Sequence, residues 1–358
     1  MSNQELLETI TGLSHVFGNC GYVRGGGGNT SCKTDATMWI KPSGLALADM
    51  TPDRFIALSR SRLNELYRTS FPAGDRERES AVKDFIATAI LPCSSGRPSV
   101  ETPLHNAFPQ RYVVHTHPAL ANAMTCGQDG EAACARLFPA ALWVGAVDPG
   151  YTLSMTVRKE ILAYKEKNGA APEMLFLGNH GVFIAHDEPD GINELYNKAM
   201  DAIGAVINDA GIRGMPERND APGADVIDAA HAKARAIMQD EAAEIAASGW
   251  FKIPTGAITP DHIVYCRSYM FQGEPDAGAL KAYRDSHGCW PRVIATENAV
   301  YGFGSSRKTA ILALEMAMDG ATVERYAKAF GGIKYLDERF VRFIEDWEVE
   351  SYRRKQAQ

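Results

Sequence analysis

The sequence lacks the features that mark several large classes of protein. No run of about 18 apolar residues is free of charged side chains, so no helix is expected to span a membrane. The first residues show no basic flank followed by an apolar stretch, and no secretory signal peptide is expected. The seven cysteines are scattered and include no Cys-x-x-Cys pair, which favours reduced thiols over a disulfide framework or a cysteine zinc site. These absences predict a cytoplasmic protein.

Basic residues are also fewer than acidic residues. The chain has 37 Lys and Arg against 44 Asp and Glu, which gives a net charge of −7. An acidic chain with no long basic run is a poor candidate for binding nucleic acid or an anionic membrane, but it is compatible with a local positive pocket for an anionic metabolite. The hydrophobic share of 45% excludes a wholly disordered or fibrous protein, and a length of 358 residues predicts two domains.

Apolar spacing predicts helices and strands that alternate along the first part of the chain, which is typical of a layered α/β fold. The predicted helices cover residues 6–16, 80–90, 120–126, 157–164 and 192–210, and the predicted strands cover residues 38–40, 112–117, 142–147, 174–177 and 181–185. Glycine, proline and charge dominate from Gly211 to Gly223, so we predict a first domain over 1–212, a linker over 213–223 and a smaller α/β extension over 224–358. In the extension we predict helices over 224–248, 308–318 and 337–354 and a strand over 292–295.

Three histidines form a candidate metal site. His115 and His117 end a predicted strand, and because side chains alternate across a strand, both imidazoles point to the same face. This pair alone is equally compatible with two polar side chains on a solvated strand face. His180 lies between two predicted strands, and the glycines near it allow the backbone to turn sharply and bring in a third ligand. Three histidines with an open fourth position are typical of a catalytic zinc site.

Two further segments have less specific patterns. Glu101 precedes Thr102 as a predicted N-cap and Pro103 in the first helical turn, a position that by itself favours an exposed acid interacting with the helix dipole. The glycine-rich stretch from Gly25 to Ser31 is compatible with a flexible turn or with an anion-binding nest of backbone N–H groups. It lacks the Gly-Lys-Ser/Thr ending of a P-loop, so nucleotide binding is not predicted.

Five ordered motifs resemble the class II aldolase and adducin family over residues 5–210. They are Gly28-Asn29-Thr30-Ser31, Ile40-Lys41-Pro42-Ser43-Gly44, Ser99 with Glu101, His115-Thr116-His117 and Gly178-Asn179-His180-Gly181. The resemblance implies a three-layer α/β/α domain with a central, mainly antiparallel sheet. It also implies a homo-oligomer, expected as a homotetramer, because members of the family are commonly tetramers.

The resemblance also implies roles for individual residues. The ligands of a divalent metal would be His115, His117 and His180, with Zn2+ as the default ion and Mn2+, Co2+ or Fe2+ as alternatives, because imidazole suits several ions. Glu101 would be the catalytic acid and base, a role for which we expect burial to raise its pKa toward neutrality. The substrate phosphate would be bound by the remaining motif residues, namely Gly28, Asn29, Ser31, Ser43, Gly44 and Ser99.

The activity that the resemblance implies is that of a lyase in carbohydrate metabolism. A ketose 1-phosphate would undergo reversible retro-aldol cleavage to dihydroxyacetone phosphate and an aldehyde, through a metal-bound enediolate. The alternative is a decarboxylase of a 3-oxo sugar acid or its phosphate, which needs the same enolate chemistry. A non-catalytic interaction module, as in the adducin branch, is disfavoured because the three histidines and Glu101 are all present.

The second half of the chain resembles the part that follows the aldolase region in bifunctional rhamnulose-phosphate aldolase/dehydrogenase proteins. The residues that carry the resemblance run from Pro291 to Gly304, together with the charged terminal helix predicted over 337–354. No dehydrogenase module is expected, because no Gly-x-Gly-x-x-Gly motif follows a predicted strand. A P-loop is not predicted either, since Arg307 stands where glycine is required; Ser305 or Ser306 is instead predicted as a helix N-cap. In the first half, Val100 stands where the fuculose enzymes have a second serine, so one phosphate contact of those enzymes is not expected here.

Overall fold

The computed structural model describes residues 2–346, which divide into two compact units. The first unit comprises residues up to 125 together with 129–206, and the second comprises 126–128 and the residues from 207 onward. The α-helices are α1 (Asn3–Phe17), α2 (Arg60–Leu66), α3 (Asp75–Ala87), α4 (Thr102–Ala107), α5 (Ala119–Thr125), α6 (Gly130–Leu137), α7 (Tyr151–Asn168), α8 (Pro189–Asp209), α9 (Ala224–Met238), α10 (Pro260–Cys266), α11 (Ala277–His287), α12 (Arg307–Ala327) and α13 (Glu338–Asp346). The strands are β1 (Asn29–Lys33), β2 (Thr37–Ile40), β3 (Ile56–Ser59), β4 (Tyr112–Thr116), β5 (Leu142–Val144), β6 (Met174–Leu177), β7 (Gly181–His186), β8 (Glu244–Gly249), β9 (Phe271–Gln272), β10 (Val293–Ala295) and β11 (Ala299–Gly304).

A seven-stranded sheet forms the centre of the first unit, in the order β3-β2-β1-β4-β7-β6-β5. All neighbouring strands are antiparallel except β5 and β6, which run parallel. Strands β1 and β4 lie in the interior of the sheet, and their register pairs Asn29 with His115 and Ser31 with Val113. The predicted mainly antiparallel sheet is therefore confirmed, and two of the sequence motifs lie side by side at its centre.

Helices cover both faces of this sheet, so the predicted three-layer α/β/α architecture is confirmed. On one face α4 and α7 pack over β4, β6 and β7 through an apolar cluster that includes Leu104, Val157 and Phe183. On the other face α1 packs on β1 and β4, and Tyr196 of α8 donates a hydrogen bond to Val114 O of β4. Because both faces are covered, every residue of β1 and of β4 is buried.

The second unit is built on a four-stranded sheet in the order β8-β11-β10-β9. Alternate residues of its strands enter two different apolar clusters. Val293 joins α10, α12 and α13 in one cluster, and its neighbour Ile294 joins α9 and α11 in the other. Since successive side chains of a strand point to opposite faces, helices cover both faces of this sheet as well. The predicted smaller α/β unit is observed.

One element of the second unit differs from the sequence prediction. The alanine-rich stretch predicts a single helix over 224–248, whereas α9 ends at Met238 and β8 begins at Glu244. Alanine has a low preference for strands, so the formation of β8 depends on its pairing with β11 along its full length.

Ser306 is the N-cap of α12, as predicted. The predicted terminal helix is observed as α13, and residues 347–354 of that prediction lie outside the described residues.

The segment predicted as a linker makes defined contacts within the second unit. Arg325 donates a hydrogen bond to Arg213 O at 3.0 Å, and the N–H of Asn219 donates to Trp250 O at 2.9 Å. The predicted domain boundaries, 1–212 and 224–358, stay a prediction. None of the helices within residues 2–346 combines the length and the apolar composition that crossing a bilayer requires.

Candidate metal centre

The end of strand β4 places two imidazoles beside each other. His115 is the fourth residue of β4, and His117 follows the strand after Thr116. Their ring centroids lie 4.5 Å apart in an edge-to-face contact, and their Nε2 atoms lie 2.8 Å apart. His115 is fully buried and His117 is partly buried, so the pair lies at the margin of the protein interior rather than on a solvated strand face.

The turn between β6 and β7 brings His180 to the same place. Asn179 adopts a left-handed φ of 53°, which asparagine tolerates better than most other residues with a side chain. The neighbouring glycines serve close packing instead. A Cβ on Gly178 would lie 2.9 Å from a backbone nitrogen of the loop after β5, and one on Gly181 would lie 2.6 Å from Cδ2 of His117. The sharp turn that the sequence analysis attributed to glycine thus depends on Asn179.

The three histidines converge on one point. One nitrogen atom of each of His115, His117 and His180 lies within 4.8 Å of the other two. Nδ1 of His115 lies 3.0 Å from Val182 O, and because a carbonyl only accepts, Nδ1 carries the hydrogen and Nε2 presents its lone pair to the centre. Burial lowers the pKa of His115, which favours the neutral imidazole that a metal ion requires. The donor set therefore fits a divalent metal ion, and these three side chains can hold one.

Phe183 supports this arrangement from the neighbouring strand. Its ring stacks on the ring of His115 with centroids 3.8 Å apart and planes inclined by 10°. The two residues are directly paired between β4 and β7. The stacked phenyl ring excludes solvent from one side of His115 and restricts the orientation of its imidazole.

The carboxylate of Glu101 borders the three histidines. Its Oε1 atom lies 3.3 Å from Nε2 of His115 and 3.4 Å from Nε2 of His180. Glu101 is the N-cap of α4, one residue earlier than the predicted N-cap Thr102, and it is only 8% exposed. The prediction of an exposed acid, which rested on the position of Glu101 in the sequence alone, is therefore wrong. The N-terminus of α4 packs against the sheet instead of facing solvent.

The pKa of Glu101 is held well below its ordinary value. Burial raises the pKa, but the protonated forms of the His115 and His180 imidazoles attract and hydrogen-bond the carboxylate, which outweighs burial and lowers the pKa. Asn29 Nδ2 donates a further hydrogen bond to Oε2 of Glu101. The expected rise toward neutrality is wrong in direction, because burial also brings the carboxylate next to two imidazoles. The side chain is therefore held in its ionised form.

Two loops predicted to bind phosphate meet beside Glu101. The backbone N–H of Ser43 donates to Arg97 O at 2.9 Å, which joins the loop after β2 to the segment that leads into α4. Gly44 has a φ of 84°, in the left-handed region that favours glycine. The hydroxyl of Ser99 accepts a hydrogen bond from the backbone N–H of Glu101 at 3.2 Å. Ser43 and Gly44 are partly exposed, so this corner of the site remains open to a ligand.

The glycine-rich loop enters β1 directly against β4. Gly28 has a φ of 69°, and a Cβ there would lie 2.7 Å from His115 O, so a larger residue does not fit. Ser31 is fully buried, and its hydroxyl lies 2.8 Å from Nδ1 of His105. The side chain of Ser31 therefore contacts helix α4, and its role in phosphate binding stays a prediction.

Two buried residues next to this site, His105 and Lys33, were not predicted from the sequence. Besides its contact with Ser31, His105 accepts at its backbone carbonyl a hydrogen bond from Nζ of Lys33, which also reaches Phe108 O. Burial lowers the pKa of His105 and of Lys33 well below their ordinary values. In the sequence, these residues could have been found only from the polar residues at alternate positions 29, 31 and 33. That pattern is typical of a solvated strand face, and it indicates buried contacts only once β1 is known to be an interior strand.

Comparison with known proteins identifies the family. The chain belongs to the class II aldolase and adducin family, because the family model described as "Class II Aldolase and Adducin N-terminal domain" matches residues 8–199 of its 358 residues. The matched range includes the three histidines and Glu101. Class II aldolases are lyases that typically depend on a divalent metal, which agrees with the donor set of this site.

The individual proteins to which this chain is similar share a low sequence identity with it. The chain is 29% identical over 167 residues to the uncharacterized oxidoreductase YuxG of Bacillus subtilis (strain 168), and the aligned part is 44% of this chain but 23% of that protein. Among solved structures, the N-terminal class II aldolase domain of a conserved protein from Thermoplasma acidophilum is 21% identical, with 56% of this chain and 93% of that chain covered and a TM-score of 0.49. The L-fuculose-1-phosphate aldolase of Thermus thermophilus is 16% identical, with coverage of 58% and 96% and a TM-score of 0.39.

Proposed function

We propose that this protein is a metal-dependent aldolase that cleaves a ketose 1-phosphate into dihydroxyacetone phosphate and an aldehyde. The observation that carries the proposal is the position of Glu101, whose Oε1 lies 3.3 Å and 3.4 Å from the Nε2 atoms of His115 and His180. A buried, ionised carboxylate next to a metal-holding site is the arrangement required to move a proton on the carbon beside a polarised carbonyl.

The two oxygens of Glu101 have different tasks in this mechanism. Oε2 accepts a hydrogen bond from Asn29, which orients the carboxylate, and Oε1 faces the histidines. A divalent cation bound by the three histidines supplies Lewis-acid stabilisation of the negative charge that develops on the substrate oxygens. In the condensation direction ionised Glu101 would remove a proton from C3 of dihydroxyacetone phosphate. In the cleavage direction it would take up the proton that the C4 hydroxyl releases as that group becomes the aldehyde, and would deliver it to C3 when the C3–C4 bond breaks.

The phosphate of the substrate binds at the corner formed by the loop after β2 and the segment before α4. Ser43 and Gly44 are partly exposed there, and Ser99 lies on the adjoining segment. Gly28 and Asn29 complete this group of residues from the start of β1. Binding a phosphate at this corner supplies energy remote from the bond that breaks and positions the reactive carbons.

The identity of the metal, the oligomeric state and the cellular compartment are part of the same proposal. Zinc is the default metal because three neutral imidazoles with one open position are typical of its catalytic sites. We expect a homotetramer, as is common in the family. The seven cysteines all lie within the described residues and form no disulfide there, which is compatible with a reducing compartment such as the cytoplasm.

The test follows the proton that Glu101 moves. Purified protein reconstituted with zinc is incubated with dihydroxyacetone phosphate in D2O, and the loss of the C3 proton signal is followed by NMR. We expect exchange that requires zinc and that falls at least ~100-fold in Glu101→Gln, while zinc content stays at the wild-type level. Glu77→Gln, which changes an exposed carboxyl group on α3, is the matched control and should exchange at the wild-type rate.

Two results would contradict the proposal. Full exchange in the Glu101→Gln variant would remove Glu101 from the mechanism. No exchange by the zinc-loaded wild type would overturn the choice of dihydroxyacetone phosphate as donor. Release of CO2 from a 3-oxo sugar acid phosphate would then support the decarboxylase alternative instead.

A further inference from the structure

Strand β1 and helix α4 are connected by a row of polar contacts. Asn29, Ser31 and Lys33 occupy alternate positions of β1, so their side chains lie on the same face of the strand. Asn29 donates to the carboxylate of Glu101, and the Ser31 hydroxyl lies 2.8 Å from Nδ1 of His105. The row therefore begins at the residue proposed to move the proton.

The row ends at the other end of the same helix. Nζ of Lys33 donates to His105 O at 2.6 Å and to Phe108 O at 2.9 Å, in the last turn of α4 and directly after it. A helix leaves its final carbonyls without partners, and a buried amine that donates to them fixes the position of that end. Positions 101, 105 and 108 lie four and three residues apart, which places them on one face of α4.

Helix α4 needs such contacts because it is short. It has six residues, and Glu101 at its N-cap makes no side-chain capping hydrogen bond. A helix of this length is not stable by itself, so its position depends on the surrounding structure. Ser31, Lys33 and His105 are each at most 3% exposed, and water therefore does not replace these contacts when one of them is lost.

We propose that Ser31 and Lys33 are positioning residues for Glu101 and act through helix α4 without touching metal or substrate; for Ser31 this role replaces the predicted phosphate contact. This inference rests on the proposed function of Glu101. Asn29 holds the carboxylate itself, Ser31 holds the middle of the helix through His105, and Lys33 holds its end. Displacing α4 by a fraction of an ångström moves the carboxylate relative to the three imidazoles and slows proton transfer more than it weakens substrate binding.

A contact between His105 and Phe183 connects helix α4 to the three histidines of the candidate metal site. The ring of His105 meets Phe183 at a centroid distance of 5.4 Å, and Phe183 in turn stacks on His115. The hydrogen bond with Ser31 sets the direction in which the His105 ring points. A loosened His105 changes the packing behind a metal-holding imidazole as well as the position of α4.

The experiment compares variants that remove contacts made by the two faces of β1. Ser31→Ala and Lys33→Met remove the contacts with α4, and Ser31→Ala, which deletes a single oxygen, is expected to fold even if Lys33→Met does not. Ser14→Ala is the matched control, because the Ser14 hydroxyl lies 2.7 Å from that of Thr30, on the opposite face of β1, and is equally buried. Each variant is measured as the full-length zinc-loaded protein.

Four quantities are measured. They are zinc content, the KM and maximal rate of the dihydroxyacetone phosphate exchange reaction, and the hydrogen–deuterium exchange of the α4 backbone amides. We expect the maximal rate to fall about 10-fold in Ser31→Ala and up to about 100-fold in Lys33→Met. KM and zinc content should stay within about twofold of the wild type, and the α4 amides should exchange faster than in Ser14→Ala.

A double-substitution cycle tests whether the effect passes through Glu101. Adding Ser31→Ala to Glu101→Gln should not lower the residual rate further, since the side chain being positioned is already inactive. The inference is overturned if Ser31→Ala and Lys33→Met match Ser14→Ala in rate. It is also overturned if the α4 amides loosen while the rate stays unchanged.

The two proposals fail in different ways. If the zinc-loaded wild type shows no exchange of the substrate proton, the proposed aldolase function is wrong. Amide exchange in α4 still decides the positioning role in that case: wild-type protection of α4 in both β1 variants would overturn it. Faster exchange confined to α4 would support it.

Discussion

Gly181 lies where the end of β4 packs closely against the start of β7, next to the rings of His115 and His117. A Cβ added to Gly181 would lie 2.5 Å from Thr116 O and 2.6 Å from Cδ2 of His117. The φ of Gly181 is not in the left-handed region, so its requirement is for space rather than for backbone freedom. The approach of two strands at this glycine is what brings ligands from β4 and from the β6–β7 turn together.

Replacing this glycine tests that requirement. We expect Gly181→Ala to bind zinc about 10- to 100-fold more weakly than the wild type, because His117 and the end of β4 must move away from His180. Competition with a chromogenic chelator measures the affinity. Gly12→Ala on α1, where a Cβ meets nothing within 4 Å, is the control and should keep wild-type affinity. Unchanged zinc affinity in Gly181→Ala would show that the strands can separate there at no cost to the site.

At the scale of elements, helices α3 and α7 are joined by a buried carboxyl group. Glu79 of α3 is 8% exposed and accepts hydrogen bonds from the backbone N–H of Tyr151, the first residue of α7, at 3.2 Å and 3.3 Å. Burial raises the pKa of Glu79 to about 7, although the hydrogen bond from Tyr151 and the charge of Arg78 lower it in part. The folded protein therefore binds this proton more tightly than the unfolded chain does.

The raised pKa predicts how stability depends on pH. Between the ordinary pKa of 4.5 and a pKa of about 7, the unfolded chain releases the proton while the folded protein retains it, so stability falls as pH rises through this range and levels off above it. From about pH 5 to about pH 8 the wild type should lose roughly 2–3 kcal/mol of unfolding free energy that Glu79→Gln does not lose. Urea unfolding at both pH values measures the difference.

The control for this experiment lies on the same helix. Glu77 is exposed, so Glu77→Gln should follow the wild type across the pH range. A Glu79→Gln variant that loses as much stability as the wild type would show that the Glu79 carboxyl group ionises normally in the folded protein.

At the scale of the whole molecule, we expect metal binding and folding to be coupled. The three histidines come from β4, from the residue after it and from the β6–β7 turn, so the unfolded chain does not hold them together. An ion that binds only the folded state stabilises it by mass action. At free zinc about 100 times its dissociation constant, the free energy of unfolding should rise by about 2.7 kcal/mol.

Chelation measures this coupling. Treatment with a chelator should lower the thermal midpoint of the wild type, and zinc should restore it. His180→Ala should lose this response, whereas His287→Ala, which removes an exposed histidine of α11, should keep it. An equal zinc response in His180→Ala and the wild type would place the stabilising ion elsewhere in the molecule.

Local sequence patterns were sufficient where the structure depends on neighbours along the chain. Strand alternation correctly predicted that His115 and His117 share a face. The N-cap preference of serine correctly predicted that Ser305 or Ser306 starts helix α12, and the N-cap is Ser306. The end of the alanine-rich stretch, from Glu244 onward, was predicted wrongly as helix, because strand β8 depends on pairing with β11 rather than on its own residues. The turn at Asn179 was assigned to glycine because packing against β4 cannot be derived from the local sequence.

The sequence by itself determined which chemical groups are available: three imidazoles, one carboxyl group and the loops around them, in an order that identifies the family. Only the tertiary structure decided their properties. Glu101 is buried, and its pKa is lowered rather than raised, because the fold places His115 and His180 beside it. Lys33 is a buried partner of α4 rather than a surface lysine because β1 is an interior strand. Periodicity and capping act between near neighbours in the chain, whereas burial and electrostatic coupling arise from residues that meet only after folding.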